Sequence, residues 1–230
     1  MAIAIDNSTT GENTSGTSTS FSYTTSGSDR LLLVNTMQRG GSGFNVTGIT
    51  YNGVPMIQVG STQSQESGQS KQNFWYLLNP ALGSNTMVIT SNGTQNPMDY
   101  SIASYTGVKQ TGFPDASTQN GSTTGSSFTG TVSTVAANCW TVMGISGLQR
   151  PWSISSGIGT IRTQNASYLS AIADSSGAIV SPGSTSLNIG QNASGFYMYS
   201  MVSFAPALTS NIKTRNGIAW ADIKSINGQT

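Results

Sequence analysis

The chain contains no histidine in 230 residues and a single cysteine, Cys139. Without histidine there is no Ser-His-Asp or Cys-His nucleophile, and no His-rich zinc, copper or non-haem iron site. One cysteine cannot form an intrachain disulfide, and with both types missing a closed zinc site lacks its usual ligands. Cys139 opens the apolar run Cys-Trp-Thr-Val-Met-Gly-Ile, where a free thiol acts as a small buried hydrophobe with no base to activate it. Charge is scarce too. Nine basic and eight acidic residues make up 7% of the chain, against about 25% in an ordinary soluble domain. They are scattered singly, so no basic run exists to neutralise a nucleic-acid backbone. No apolar stretch approaches the roughly 20 residues of a membrane-spanning helix, which speaks against membrane insertion. The N-terminal residues carry neither the basic nor the apolar segment of a signal peptide.

Ser, Thr, Asn, Gln and Gly fill the space that charge leaves. Solubility then comes from neutral hydroxyls and amides, which offer little for salt to screen or pH to titrate. That suits an uncontrolled external medium. Hydrophobic residues reach 36%, enough for a core, and aromatic and β-branched residues argue against disorder. All-β sandwiches of this length commonly form one domain.

Short strand-like runs recur between Gly, Asn, Ser and Pro clusters. Thr47–Tyr51 and Thr86–Thr90 alternate apolar and polar side chains at period two, which sets one face on a core. Leu31–Val34 and Phe74–Leu78 are unbroken apolar runs, as expected of strands covered on both faces. Asn52-Gly53 is a type I′ hairpin signal, and Pro80 with Gly83 marks a second turn. No segment has capped helical periodicity. Residues 60–73 and 112–127 read as long polar loops, where binding function commonly sits.

Six segments occur in the order of a concanavalin/laminin-G-like jelly-roll domain of bacterial extracellular and phage-associated proteins: 21–34, 46–61, 73–90, 101–117, 133–142 and 200–207. The chain resembles that family over nearly all of residues 2–207. The resemblance implies a jelly roll with a structural or adhesive role and no catalytic residues. After Pro206 the pattern changes. Ile-Lys-Thr-Arg-Asn-Gly at 212–217 returns as Ile-Lys-Ser-Ile-Asn-Gly at 223–228, similar to repeat appendages on phage and bacterial surface proteins. Ile212, Ile218, Trp220, Ile223 and Ile226 are too few to fold alone and too apolar for a solvated tail, so they point to an inter-subunit arm.

Carboxylate pairs are the remaining acid–base chemistry. Asp29, Asp99, Asp115 and Asp174 each lie beside turn-forming residues, where they are expected to bond their own backbone. Glycan binding has better candidates. Trp152 follows Arg150-Pro151 in a loop-like stretch, and Phe113 and Tyr168 lie near turns. Each could lay a ring against a sugar face.

The expectation is therefore an all-β, two-sheet antiparallel sandwich of jelly-roll type over 1–207, with a tail over 208–230. It is expected to be non-catalytic, without metal or cofactor. It would be a structural protein of a bacteriophage virion, at the capsid exterior or in the tail. Its partners would be its own copies, as a trimer, and other virion proteins. The alternative is a glycan-binding adhesin module of a bacterial surface protein, which would place the chain at the cell surface or outside the cell.

Overall fold

A computed structural model describes residues 1–39, 43–65, 68–93, 98–148, 151–164 and 169–208, with the backbone of 214–215 and 218–219. Among these residues there is no helix; the chain is all-β and antiparallel throughout. Its strands are β1 (Ala4–Asn13), β2 (Ser18–Thr25), β3 (Leu31–Arg39), β4 (Val46–Tyr51), β5 (Val54–Pro55), β6 (Ile57–Gln58), β7 (Gln63–Ser64), β8 (Ser70–Leu78) and β9 (Gly83–Ser91). They continue with β10 (Met98–Thr106), β11 (Ala116–Thr134), β12 (Trp140–Gly147), β13 (Ser153–Ser156), β14 (Thr160–Gln164), β15 (Ser170–Asp174) and β16 (Gly183–Phe204). A short pair, β17 (Thr214–Arg215) and β18 (Ile218–Ala219), lies in the tail.

The centre is a six-stranded sheet ordered β1-β10-β3-β8-β6, with β7 also on β8. Its middle strands are the unbroken apolar runs, and β3 is buried along eight of its nine residues. The reason is that both faces are covered. Leu31, Leu33, Phe74 and Tyr105 pack against Trp140, Val142, Ile172 and Phe204 of the sheet β11-β16-β12-β15-β14. Leu32, Val34, Trp75 and Ile102 pack on the other side against Ile49, Tyr51, Met87 and Ile89 of the sheet β2-β9-β4-β5. The expected sandwich is present, and the four-stranded sheet adds a layer to it.

Hairpin chemistry behaves as read. Asn52 and Gly53 both adopt positive φ, 51° and 75°, as a type I′ turn between β4 and β5 demands. Two readings need correction. Residues from Ala116 onward are not a loop but the first half of β11, and the expected loop over 60–73 holds β7 (Gln63–Ser64) and the start of β8 at Ser70. Hydroxyl and amide side chains give no apolar alternation, so β7, the start of β8 and the first half of β11 carry no hydrophobic signature; ladder bonds hold them.

β11 and β16 are 19 and 22 residues long and pair along their length. The ladder shifts register between Gly125 and Ser127, opposite Gly195 and Gly190. There Gln191 Nε2 donates to the carbonyls of Gly125 (2.7 Å) and Gly195 (3.2 Å). Beyond this bulge the ribbon folds over its own sheet, a standard consequence of extra residues in one strand. Phe128, Val132, Leu187 and Ile189 thereby cover Met143, Ile145, Ala171 and Met201. The molecule is thus layered four deep.

Candidate functional site

Three rings were expected to face a glycan. Trp152 is 2% exposed. It packs edge-on to Phe128 at 6.2 Å inside the folded-over layer. Gln164 clamps its backbone from both sides, accepting from Trp152 N and donating to Trp152 O, each at 2.7 Å. Phe113 is also buried, between Tyr76 at 4.5 Å and Phe204 at 5.9 Å. Neither ring offers a face to a ligand, which corrects the expectation of exposure. The stretch around Trp152 lacks strand periodicity because its burial comes from a ribbon arriving from elsewhere in the chain. Tyr168 lies outside the described residues. Among those described, every aromatic side chain is buried or half-buried.

The acids also depart from the turn reading. Asp174 is fully buried on β15. Its carboxylate accepts from Arg162 Nε at 2.6 Å, Tyr105 OH at 3.0 Å and Ser176 N at 2.8 Å. The last of these is a local turn bond; the other two tie β14 and β10 to β15. Burial opposes the charge on Arg162, but the bond to Asp174 and its attraction outweigh that and raise the guanidinium pKa. Burial, then the Asp174 charge, pushes the Tyr105 hydroxyl well above its ordinary value. Arg162 also stands 5.9 Å over the Trp140 ring. The carboxylate is saturated by its donors, and the cluster works as a clasp between strands. Asp99 is likewise a buried strand residue on β10. Asp29 does sit in a turn, at φ 52°. Asp115 pairs with Lys109 at 3.9 Å, and burial, partly offset by Lys109, raises its pKa. Cys139 is buried, which raises its thiol pKa. Among the described residues no three Asp, Glu or Cys side chains converge as a metal would require.

A concave surface does exist, at one end of the central sandwich. The starts of β1 and β12 and the ends of β10, β15 and β16 meet there. Met1, Ala2, Ile3, Asn138, Trp140, Gly177, Ala178 and Pro206 line a groove of 680 Å³. Next to it, across Pro206, a hollow of 230 Å³ is walled by Val135, Ala136, Ala137, Ala205, Leu208 and Lys109. Most of this lining is apolar. Of these, Met1, Val135 and Leu208 stand exposed. The end is firmly built. The N-terminal ammonium donates to Ala207 O at 2.9 Å, and Ala207 N donates to Gly107 O at 2.8 Å. Gly107 has φ 71°, and a Cβ there would strike the carbonyl of Ala2, so only glycine lets the N-terminal segment lie so close. Sequence reading missed this groove, since its walls come from five separate strand ends. The one hint was the small apolar residues flanking strands at 135–137 and 205–208.

The tail residues fall partly outside this description. Ile212, Trp220, Ile223 and Ile226 are not described. Ile218 is on β18, which pairs with β17 through Thr214–Ala219 and Arg215–Ile218.

No family model matches the chain, and neither a curated protein nor a solved structure shows significant similarity to it.

Proposed function

We propose that the chain is a non-catalytic structural component of a bacteriophage virion, at the capsid exterior or in the tail, which acts through self-association and surface display. The observation that carries this reading is the apolar end of the sandwich. A groove and a hollow adjoin there, exposed Met1, Val135 and Leu208 are among their walls, and Leu208 is where the tail begins. Contiguous apolar surface on a chain otherwise coated in hydroxyls and amides is the mark of a contact with another protein. The motif order of a jelly-roll family found in phage and bacterial surface proteins supports the setting. A coat with 7% charged residues supports exposure to a variable medium.

Self-association is expected to close into a small symmetric oligomer, a trimer in our reading, with residues 208–230 as the arm. Deleting 208–230 leaves a chain that melts as the full-length protein does but sediments as a monomer. An unchanged assembly mass by light scattering would refute the arm. Glycan binding becomes the weaker alternative, because Trp152 and Phe113 are buried and offer no ring to a sugar. Saturable binding on a glycan array would restore it.

A further inference from the structure

We infer that Asn120 is a site of spontaneous covalent modification, where the chain closes a succinimide with Gly121 and reopens it as aspartate or isoaspartate. Asn-Gly steps occur at 52–53, 92–93, 120–121, 216–217 and 227–228, and the first three lie among the described residues. Asparagine is a labile residue, and a following glycine leaves its main-chain nitrogen unshielded by any side chain. The fold treats the three steps differently. Asn52 and Gly53 are held at φ 51° and 75° between the paired Tyr51 and Val54. That type I′ turn fixes the main chain that cyclisation has to rotate. Asn92 is pinned through its side chain: Oδ1 accepts from Asn45 N at 2.8 Å, and Nδ2 donates to Gly43 O at 3.0 Å. A ring there would give up both main-chain bonds, and Gly93 already lies against the Phe44 ring.

Asn120 has neither restraint. It is half-buried on β11, within reach of water, and the ladder shifts register directly after it. Asn120 pairs with Tyr199 and Thr123 with Tyr197, which leaves Gly121 and Ser122 opposite the single residue Met198. Gly121 therefore sits in a bulge, outside the regular pairing. Asn120 Oδ1 accepts from Thr123 Oγ1 at 3.0 Å, and the amide also bonds the Tyr199 hydroxyl. Both partners are side-chain hydroxyls, which can turn with the amide. The Thr123 hydroxyl does more. Negative charge builds on Oδ1 when its carbonyl is attacked, and a donor already aimed at that oxygen stabilises it. In the step itself, Gly121 N gives its proton to hydroxide from solvent and attacks Asn120 Cγ. The Cγ–Nδ2 bond breaks, and the nitrogen takes a proton from water and leaves as ammonia. Water then opens the ring at either carbonyl. One opening leaves aspartate; the other leaves isoaspartate, with the main chain running through the former side-chain carbonyl.

The test keeps the full-length protein folded in mildly alkaline heavy-oxygen water, then maps its peptides by mass spectrometry. The label marks conversion during the incubation alone and separates each Asn-Gly step from the others. Asn120 is expected to convert faster than Asn52 and Asn92 and to give both labelled aspartate and labelled isoaspartate. On ion exchange, conversion at this one residue takes the formal net charge from +1 to zero. Gly121→Ala should all but stop the conversion without disturbing the fold, since a Cβ there meets nothing nearer than Ser64 O at 3.7 Å. Thr123→Val keeps the Asn-Gly step and removes the donor, so conversion should slow severalfold. If Asn120 converts no faster than Asn52 and Asn92, or converts only once the chain is unfolded, the site is overturned. If Thr123→Val converts as fast as the wild type, activation by the hydroxyl is overturned.

Discussion

Both faces of the central sheet bury leucine, isoleucine and aromatic side chains, yet they place their polar groups differently. Toward β2-β9-β4-β5 the core is one cluster, and the polar groups stand at its ends. At one end Tyr23 OH donates to Asn7 O at 2.8 Å. At the other, Asn73 Oδ1 accepts from Thr62 at 2.6 Å and its amide donates to Asn45 at 2.8 Å. Toward β11-β16-β12-β15-β14 a polar layer runs through the middle. It divides the main cluster from a smaller one of Met37, Leu169, Phe196 and Met198. Asn35 Nδ2 donates to Ile145 O and Ser170 Oγ, both at 2.8 Å, while its Oδ1 accepts from Gln72 Nε2 at 2.7 Å. Ser200 donates to Gln72 Oε1 at 3.2 Å, and Gln119 donates to Ser200 at 2.8 Å. Even the space is shaped for it: a Cβ on Gly144 would sit 2.6 Å from Asn35 Oδ1.

The difference teaches that the two interfaces solve different problems. An apolar contact is non-directional, so layers sharing only one can slide by a residue at small cost. A buried amide with fixed partners tolerates no slip, because an orphaned group costs its full desolvation. The four-stranded sheet is tied to the centre by short connections, as at β1–β2 and β3–β4. The far sheet is assembled from residues after Ala116 and lacks that tether on most of its strands, so alignment there falls to the Asn35 layer.

The contrast can be broken by substitution. Leu32→Ala on the single-cluster face should cost about 2–5 kcal/mol in denaturant unfolding, with a cavity and no change in layer alignment. Asn35→Ala should cost less, about 1–3 kcal/mol, since Gln72 and Ser170 lose a partner. It should also loosen amide-exchange protection in β12 and β15 while sparing β4 and β9. Uniform loss of protection in both sheets would refute the division of labour.

The smallest effect sharpens the comparison by pH. Tyr23 on one face and Tyr105 on the other both have hydroxyl pKa values raised above 10.0, chiefly by burial. A raised folded value contributes stability that is complete below the unfolded pKa and is lost as pH climbs past it. With no histidine to titrate, the melting temperature should be nearly flat between about pH 5 and 9 and decline above about pH 10. Tyr105→Phe should shallow that decline. A steep change near neutrality would contradict it.

Much of the fold was legible from local pattern. Period-two alternation at Thr47–Tyr51, the Asn52-Gly53 turn and the doubly covered runs at Leu31–Val34 and Phe74–Leu78 all appear where the residues indicate. These features depend on neighbours in the chain, through backbone sterics and side-chain period. The fold-back of the β11–β16 ribbon was not legible, nor therefore the burial of Trp152, because a polar strand bends where two distant segments mismatch in register. The groove was hidden for the same reason.

Composition and local period by themselves determined that this is a charge-poor, all-β chain without histidine or disulfide chemistry. Only the tertiary structure decided which aromatics are buried, that Asp174 is a clasp, and that Leu208 lies beside an apolar hollow. The physical reason is separation along the chain. Asn35 and Ser170 are 135 residues apart, and the groove walls at Ala2 and Pro206 are farther apart still. No local pattern carries information about which far segment will close a contact; pairing and packing do.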